Sequence, residues 1–432
     1  VLVNAGTVTI HEAGTYLIAG TLSNGQIVVD AAKTAKIRLI FNNVTIHNPT
    51  SAPIYIKQAD KVFITLADDS INLLSNDGAF VQTDDNTLDA VIYSQDDLTI
   101  NGIGSLELSS DFGHGIVSKD DLVITGGSYQ IDTSGHGLSG KDSLRIADGS
   151  FVIHAGEDGL HSANADNLTL GYVYIAGGRF TITAGDDGIH ADRNVTINGG
   201  KIDILQSYEG IEGESIDIKN GAISLLATDD GFNAANGSTP ENEKPPEGTQ
   251  RPMDAGKPTG NQPGASADET CYVKISGGTL YINATGDGID SNGSISISGG
   301  ETYISGPSDN GNTALDYNGS AEITAGLFVA AGSAGMAQNF TSATQGALLI
   351  TAQTAQTGEI ILANSNNNTL AFFSPEKEYR SVLISTPDMR AGETYSVTVG
   401  SETQTITLSS LIYGDGGHKG GEPPNAKIKS GE

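Results

Sequence analysis

A glycine flanked by acids or histidines returns at a 22-residue spacing through the middle of this 432-residue chain. The anchors are Gly115, Gly137, Gly159, Gly188, Gly210, Gly231 and Gly288. A second turn, written Gly-Gly or Asp-Gly, begins at Gly126, Asp148, Gly199 and Gly299, 11 residues after the anchors Gly115, Gly137, Gly188 and Gly288. A period this regular belongs to a chain in which each repeat is one coil stacked on copies of itself. One coil cannot bury its own apolar face, so stability must come from its neighbours. Stacking also turns each repeated residue into a column.

The segments between turns alternate apolar and polar residues, as in Asp121–Ile124, Ser143–Ile146, Phe151–Ile153, Asn194–Ile197, Lys201–Ile204, Ser215–Ile218 and Ser294–Ile297. Period two means short strands with one face inward. Gly-Gly, Asn-Gly and Asp-Gly supply the turns, where positive φ is cheap for glycine. Two strands and a further turn per 22 residues predict an all-β parallel β-helix. Its interior would be a column of Ile116, Leu138, Leu160, Ile189, Ile211, Phe232, Ile289 and Leu315. Residues 1–80 read as an N-terminal cap with the first coils, and 81–335 as the regular coils. A mobile, proline-rich insertion is expected over 236–270. Residues 336–412 lose the anchor glycine and read as C-terminal coils or a β cap, and 413–432 as a flexible tail. Shorter insertions fall near Asn164 to Gly171 and Gly306 to Asn312.

Lys and Arg total 22 against 52 Asp and Glu, a formal net charge of −30. Nucleic acid is excluded as a partner, because its binding rests on cationic neutralisation of phosphate. Cys271 is alone, so neither an intrachain disulfide nor a thiolate metal cluster is available. No run is long and apolar enough to span a membrane. High Ser, Thr, Asn and Gly content with repetitive β patterning predicts an extracellular or cell-surface protein whose secretion signal has been removed.

Aligning the anchors exposes the acids. One residue before glycine stand His114, His136, Asp158, Asp187, Glu209, Asp230 and Asp287. Two after it stand Val117, Ser139, His161, His190, Glu212, Asn233 and Asp290, then Asp316 where Ala314 replaces glycine. Asp192 and Glu214 lie four after it, and Glu157, Asp186 and Asp229 precede the pair. Adjacent strands are about 4.8 Å apart. Two carboxylates at that distance repel by about 1 kcal/mol in water and about 3–4 kcal/mol where partly shielded. Either their pKa values rise or a cation lies among them. Calcium suits them, since it takes six to eight oxygen ligands in loose geometry. The competing reading is that Asp at such turns caps backbone amides. Asp96, Asp97, Asp120, Asp121 and Asp142 read as turn chemistry of that kind, and His114 and His136 as the end of a solvated turn series.

The motifs Gly14–Tyr16, Gly20–Leu22, Asn24–Asp30, Pro53–Ile56, Asp97–Gly102, Lys119–Leu122, Gly185–His190 and Asp229–Asn233 resemble the bacterial carbohydrate-binding, pectate-lyase-like β-helix family over roughly residues 5–400. Phe372 to Tyr379 shares the likeness. The resemblance implies a right-handed helix of coils, bound calcium, and binding of polygalacturonic acid and, as a further candidate, cellulose, without lyase activity. It maps the calcium sites onto the region of Asp186, Asp187, Asp192, Glu209, Glu212, Glu214, Asp229, Asp230, Asp287 and Asp290, and the aligned columns add Asp158 and Asp316 as candidate metal ligands. His161, His190, Arg193, Tyr208 and Tyr317 are candidate sugar contacts, with turn packing the alternative for the two tyrosines. No residue is assigned to catalysis unless the chain is a pectate lyase, in which case Arg193 is the base. A salt bridge to Asp192 or Glu214 is the other role for Arg193. Three readings follow: a calcium-dependent binder of acidic polysaccharide, a lyase, or a structural surface solenoid or adhesin.

Overall fold

The computed structural model describes residues 1–4, 6–236 and 267–414. Every helix or strand element among them is a β-strand. They divide into two compact units, one over residues 1–207 and one over 208–236 and 267–414. Most of the insertion expected over 236–270, and all but the first two residues of the tail expected over 413–432, lie outside the described residues.

In the first unit the 22-residue period becomes three parallel ladders. One runs through Lys61–Leu66, Asp97–Gly102, Asp121–Ile124, Ser143–Ile146, Tyr172–Ile175 and Ile189–Ile197. A second runs through Ile71–Asn76, Ser105–Ser110, Ser128–Thr133, Ser150–Ala155, Arg179–Ala184 and Lys201–Ser207. The third and shortest carries the anchors and runs through Ala90–Ser94, His114–Ser118, Leu138–Gly140, Leu160–Ser162 and Ile189–Ile197. Because register is fixed residue for residue, like side chains stack. Ile116, Leu138, Leu160 and Ile189 are all fully buried, as are Ile100, Ile124, Ile146, Ile175 and Ile197. Tyr129, Phe151 and Phe180 form a further column, with successive rings 4.7 Å apart and nearly parallel.

The glycine pairs are explained by their second member. Gly127, Gly149 and Gly200 in this unit have φ of 106°, 141° and 99°. At Gly200 a Cβ would also lie 2.8 Å from the Gly178 carbonyl oxygen. Left-handed backbone in a tightly stacked turn admits only glycine.

The second unit begins with the same parallel plan. Ile211–Ile218 pairs with Phe232–Ala234 and Tyr272–Ile275, and Ala222–Ala227 with Thr279–Ala284. Phe232–Ala234, Ile289–Ser291 and Leu315–Tyr317 continue the anchor ladder. The plan then changes. Ala321–Gly332 pairs antiparallel with Tyr379–Thr386, which pairs antiparallel with Gly346–Gln356. Thr369–Phe373, Ile360–Asn364, Thr394–Val399 and Glu402–Thr407 form a separate four-stranded antiparallel sheet. Ile360, Leu362, Tyr395, Val397 and Leu408 are buried in one cluster with Val329, Leu348, Ile350, Val382 and Ile384 of Ala321–Gly332, Gly346–Gln356 and Tyr379–Thr386. Antiparallel strands need no glycine anchor, which is why the period fades after residue 335.

Candidate functional site

The anchor ladder of the first unit carries a column of imidazoles. His114, His136, His161 and His190 stack with ring centroids 4.8, 4.0 and 5.4 Å apart. This corrects the expectation that His114 and His136 end a solvated turn series: both side chains are largely covered. His114 and His136 hold the same position in successive repeats, and strand register pairs His161 with His190; His136 and His161 come from different positions of the repeat, yet their rings also stack. Glu157 Oε2 lies 3.3 Å from His136 Nε2 and 3.7 Å from His114 Nδ1, and Asp158 Oδ2 lies 3.2 Å from His136 Nδ1.

The residues just before the anchors share a structural task. The His136 amide donates to His114 Nδ1 at 2.8 Å, the Asp158 amide to His136 Nδ1 at 3.1 Å, and the Asp187 amide to Asp158 Oδ1 at 2.9 Å. Each side chain thus accepts the amide of the next repeat, a partner that a buried N–H requires. Burial pushes the His114 imidazole down to about 3, helped by the neighbouring His136. Burial would lower His136 too, but the Asp158 and Glu157 carboxylates outweigh it and hold it above the usual range. Asp158, despite its burial, is held low by His136. Burial and His136 push His161 well down.

The anchor ladder of the second unit is built from oxygen. Asp230, Asp287 and Asp290 bring one carboxylate oxygen each to within 4.8 Å of the others. Asp290 pairs with Asn233 on one side and Asp316 on the other. Glu209, Asn233, Asp287, Asp290 and Asp316 are all buried. The amide ladder recurs, with the Asp287 amide donating to Asp230 Oδ1 at 2.6 Å and the Thr313 amide to Asp287 Oδ1 at 2.5 Å. Asn233 donates to Glu209 Oε2 at 2.9 Å, and the Gln338 carboxamide donates to Asp316. Burial first, and mutual repulsion second, raise Asp230, Asp287 and Asp290 well above the ordinary carboxylate range. Asn233 Oδ1 is enclosed and has no hydrogen-bond partner among the described residues.

The other expected site residues are placed as follows. Asp192 accepts the Asn164 amide at 2.7 Å, and His190 Nδ1 sits 3.1 Å from Asp187 Oδ2. Asp186 is half-buried, its amide on the Glu157 carbonyl. Arg193 is half-buried on Ile189–Ile197, its amide on the Gly171 carbonyl. Glu212 and Glu214 are half-buried on Ile211–Ile218, and Asp229 is half-buried beside Asp230. The Tyr208 carbonyl accepts the Asp229 amide, and the Tyr317 hydroxyl donates to the Asn339 carbonyl at 2.5 Å, so Tyr317 is tied into turn packing. Of the acids read as turn chemistry, Asp96 accepts the Ala59 amide and Asp120 the Asp121 amide, whereas Asp97 meets the Lys61 ammonium, Asp121 the Arg145 guanidinium and Asp142 the Asn164 carboxamide. Aligning the anchors sets Glu157 and Asn233 in or beside the columns but does not single them out as site residues. Both stand one strand spacing or one residue from chosen positions, and only register reveals them as members.

These features define an all-β repeat protein whose anchor ladders carry a nitrogen-and-oxygen cluster in one unit and an oxygen-only cluster in the other. A family model for carbohydrate-binding domain-containing proteins matches residues 4–242, and the chain belongs to that family. A carbohydrate-binding domain-containing protein of Acetivibrio thermocellus is 44% identical over 127 residues, 29% of this chain and 44% of that protein. The chain therefore spans less than half the length of that relative. Among solved structures, the polysaccharide lyase-like protein from C. thermocellum, a gadolinium derivative, is 38% identical, with a TM-score of 0.50 over 52% of this chain and 92% of its own.

Proposed function

We propose that this chain binds acidic plant cell-wall polysaccharide, with polygalacturonate as the ligand and calcium as the bridging ion, and that it does so without cleaving it. The accompanying reading of the fold is a right-handed parallel β-helix of about 22 residues per coil, exported to the cell surface or beyond. The observation that carries the proposal is the oxygen-only cluster of Asp230, Asp287 and Asp290 beside the orphaned Asn233 Oδ1. Carboxylates and a carboxamide oxygen are the donors a hard cation prefers. With Glu209 and Asp316 they supply enough oxygens for calcium, water completing the shell. Bound calcium contributes positive charge that two polyanions can share. Without it, a chain of net charge −30 repels a polyuronate. The solved neighbour is a gadolinium derivative, and gadolinium, like calcium, is a hard cation.

The test is retention on polygalacturonate in calcium and in chelator. Retention in calcium that is lost in chelator, and lost in Asp290→Asn, supports the proposal. Equal retention in both buffers removes it. Release of unsaturated sugar that depends on Arg193 would replace it with the lyase reading.

A further inference from the structure

The second unit carries an aromatic array on a different ladder from the carboxylates. Tyr281 and Tyr303 occupy paired positions of Thr279–Ala284 and Ser294–Ser305. Their rings stack 5.0 Å apart at 8°. Behind them, Phe373 of the antiparallel sheet packs on Tyr303 with centroids 5.5 Å apart. That sheet is anchored here through Pro375 to Lys377. Asn283 donates to Glu376 Oε2 at 2.6 Å, the Glu376 amide to Ser305 Oγ at 3.2 Å, and the Lys377 ammonium to the Ala284 carbonyl. The Tyr303 hydroxyl donates to Glu301 Oε2 at 3.3 Å. Among the described residues, these contacts brace the array from the side of Tyr303.

On the other side the register partner of Tyr281 is Ser224. A serine side chain is too short to cover a ring. Tyr281 is 49% exposed, although its back face is stacked. A rigid ring held flat, with one broad face open, presents apolar area at little further entropy cost. The π face of an aromatic ring is electron-rich and attracts the slightly positive C–H face of a pyranose whose hydroxyls are equatorial. The carboxylates of Glu301 and Glu376, both exposed, flank the array. They can accept hydrogen bonds from sugar hydroxyls, and they repel a uronate carboxylate.

We infer that Tyr281 is a stacking platform for a neutral pyranose residue, a second carbohydrate contact independent of the carboxylate cluster. The inference rests on the reading of this chain as a polysaccharide binder, but not on calcium or on uronic acids.

The experiment is affinity electrophoresis of the full chain, in chelator, through gels containing a soluble neutral β-glucan (hydroxyethylcellulose). The wild-type protein should be retarded. Tyr281→Ala and Tyr281→Leu should weaken the interaction by about tenfold or more, whereas Tyr281→Phe, which keeps the ring, should be retarded like wild type. Melting temperatures of the three variants should match wild type, since the ring supports no buried core. Wild-type mobility unaffected by the glucan, or equal retardation of wild type and Tyr281→Ala, would overturn the inference. Calcium-dependent retention on polygalacturonate by Tyr281→Ala reports on the carboxylate cluster separately, so the two readings fail independently.

Discussion

Asp230 accepts the backbone amide of Asp287 through its Oδ1 at 2.6 Å, while the two carboxyl groups crowd each other within one candidate ligand set. One side chain therefore serves both the turn and the cluster. Asp290 instead takes the amide of Ser291, the next residue along its own strand, a contact that an asparagine oxygen can keep. It pairs with Asn233 and Asp316 in the neighbouring strands, and it is the better position at which to separate the two roles.

In chelator, Asp290→Asn should melt at or slightly above wild type, because a neutral carboxamide removes repulsion among buried acids. With calcium at about 100 times its Kd, wild type should gain about 2.7 kcal/mol in the unfolding of this region, seen as a rise of a few degrees in Tm. The variant should gain little. Differential scanning calorimetry in the two buffers measures both effects. A calcium response in Asp290→Asn equal to wild type would exclude Asp290 as a ligand.

His136 tests the amide ladder in the first unit. Its Nδ1 accepts the Asp158 amide at 3.1 Å, and its Nε2 faces Glu157. His136→Ala leaves a buried donor and two acids without this partner, at a cost of about 1–3 kcal/mol. His136→Asn keeps an uncharged acceptor near the same place and should recover part of it. Hydrogen exchange at the Asp158 amide, followed by mass spectrometry or NMR, should accelerate in His136→Ala and less in His136→Asn.

The extent to which these features were legible in the sequence follows from what a repeat preserves. The parallel strands, the apolar column of Ile116, Leu138, Leu160 and Ile189, and the acidic columns are all written in the 22-residue spacing, and the structure pairs those residues directly. Amide capping by Asp96 and Asp120 was legible for the same reason. What spacing does not carry is the identity of the atom each side chain meets. Asp158 and His136 occupy one column, yet one receives the amide through an oxygen and the other through a ring nitrogen. The stacking of the imidazoles was not legible, because His114 and His136 stand one residue before glycine and His161 and His190 two after it, and spacing alone does not bring those two positions within 4.0–5.4 Å of one another. The antiparallel sheet beyond residue 335 was legible as strands only, since nothing periodic there fixes pairing. Tyr281 escaped because its importance depends on Phe373 arriving from that distant sheet.

Asp120 supplies a pH dependence. Burial, then the charges of Asp97 and Asp142, push its carboxyl up to about 6 from 3.8. The folded protein thus holds this proton more tightly than the unfolded chain does. Its contribution to stability is fully present below about pH 3.8 and is lost as pH rises through about 6. Asp120→Asn keeps an oxygen for the Asp121 amide, which Asp120 Oδ1 now accepts at 3.1 Å, and removes the titration. Relative to wild type, the variant should become progressively more stable between pH 4 and pH 6 and level off above. Urea midpoints at half-unit pH intervals give the difference curve, and a flat difference would show that Asp120 does not titrate in this range.

The ring column of the first unit tests how far stability travels along the repeats. Phe151 lies between Tyr129 and Phe180, 4.7 Å from each, and is fully buried. Phe151→Ala removes two stacked contacts and leaves a void that rigid neighbouring ladders cannot fill, for a loss of about 3–5 kcal/mol. In a repeat array each coil depends on its nearest neighbours, so the damage should be graded rather than global. Hydrogen exchange in Ser128–Thr133, Ser150–Ala155 and Arg179–Ala184 should rise by two or more orders of magnitude, about 1.4 kcal/mol being one order. Ile71–Asn76, two repeats before Ser128–Thr133 in the same ladder, should change much less. Phe151→Leu, which keeps most of the buried volume, should show the same pattern at a smaller amplitude. Uniform acceleration across the whole first unit would mean that it unfolds as one cooperative block and that the nearest-neighbour account of its stability is wrong.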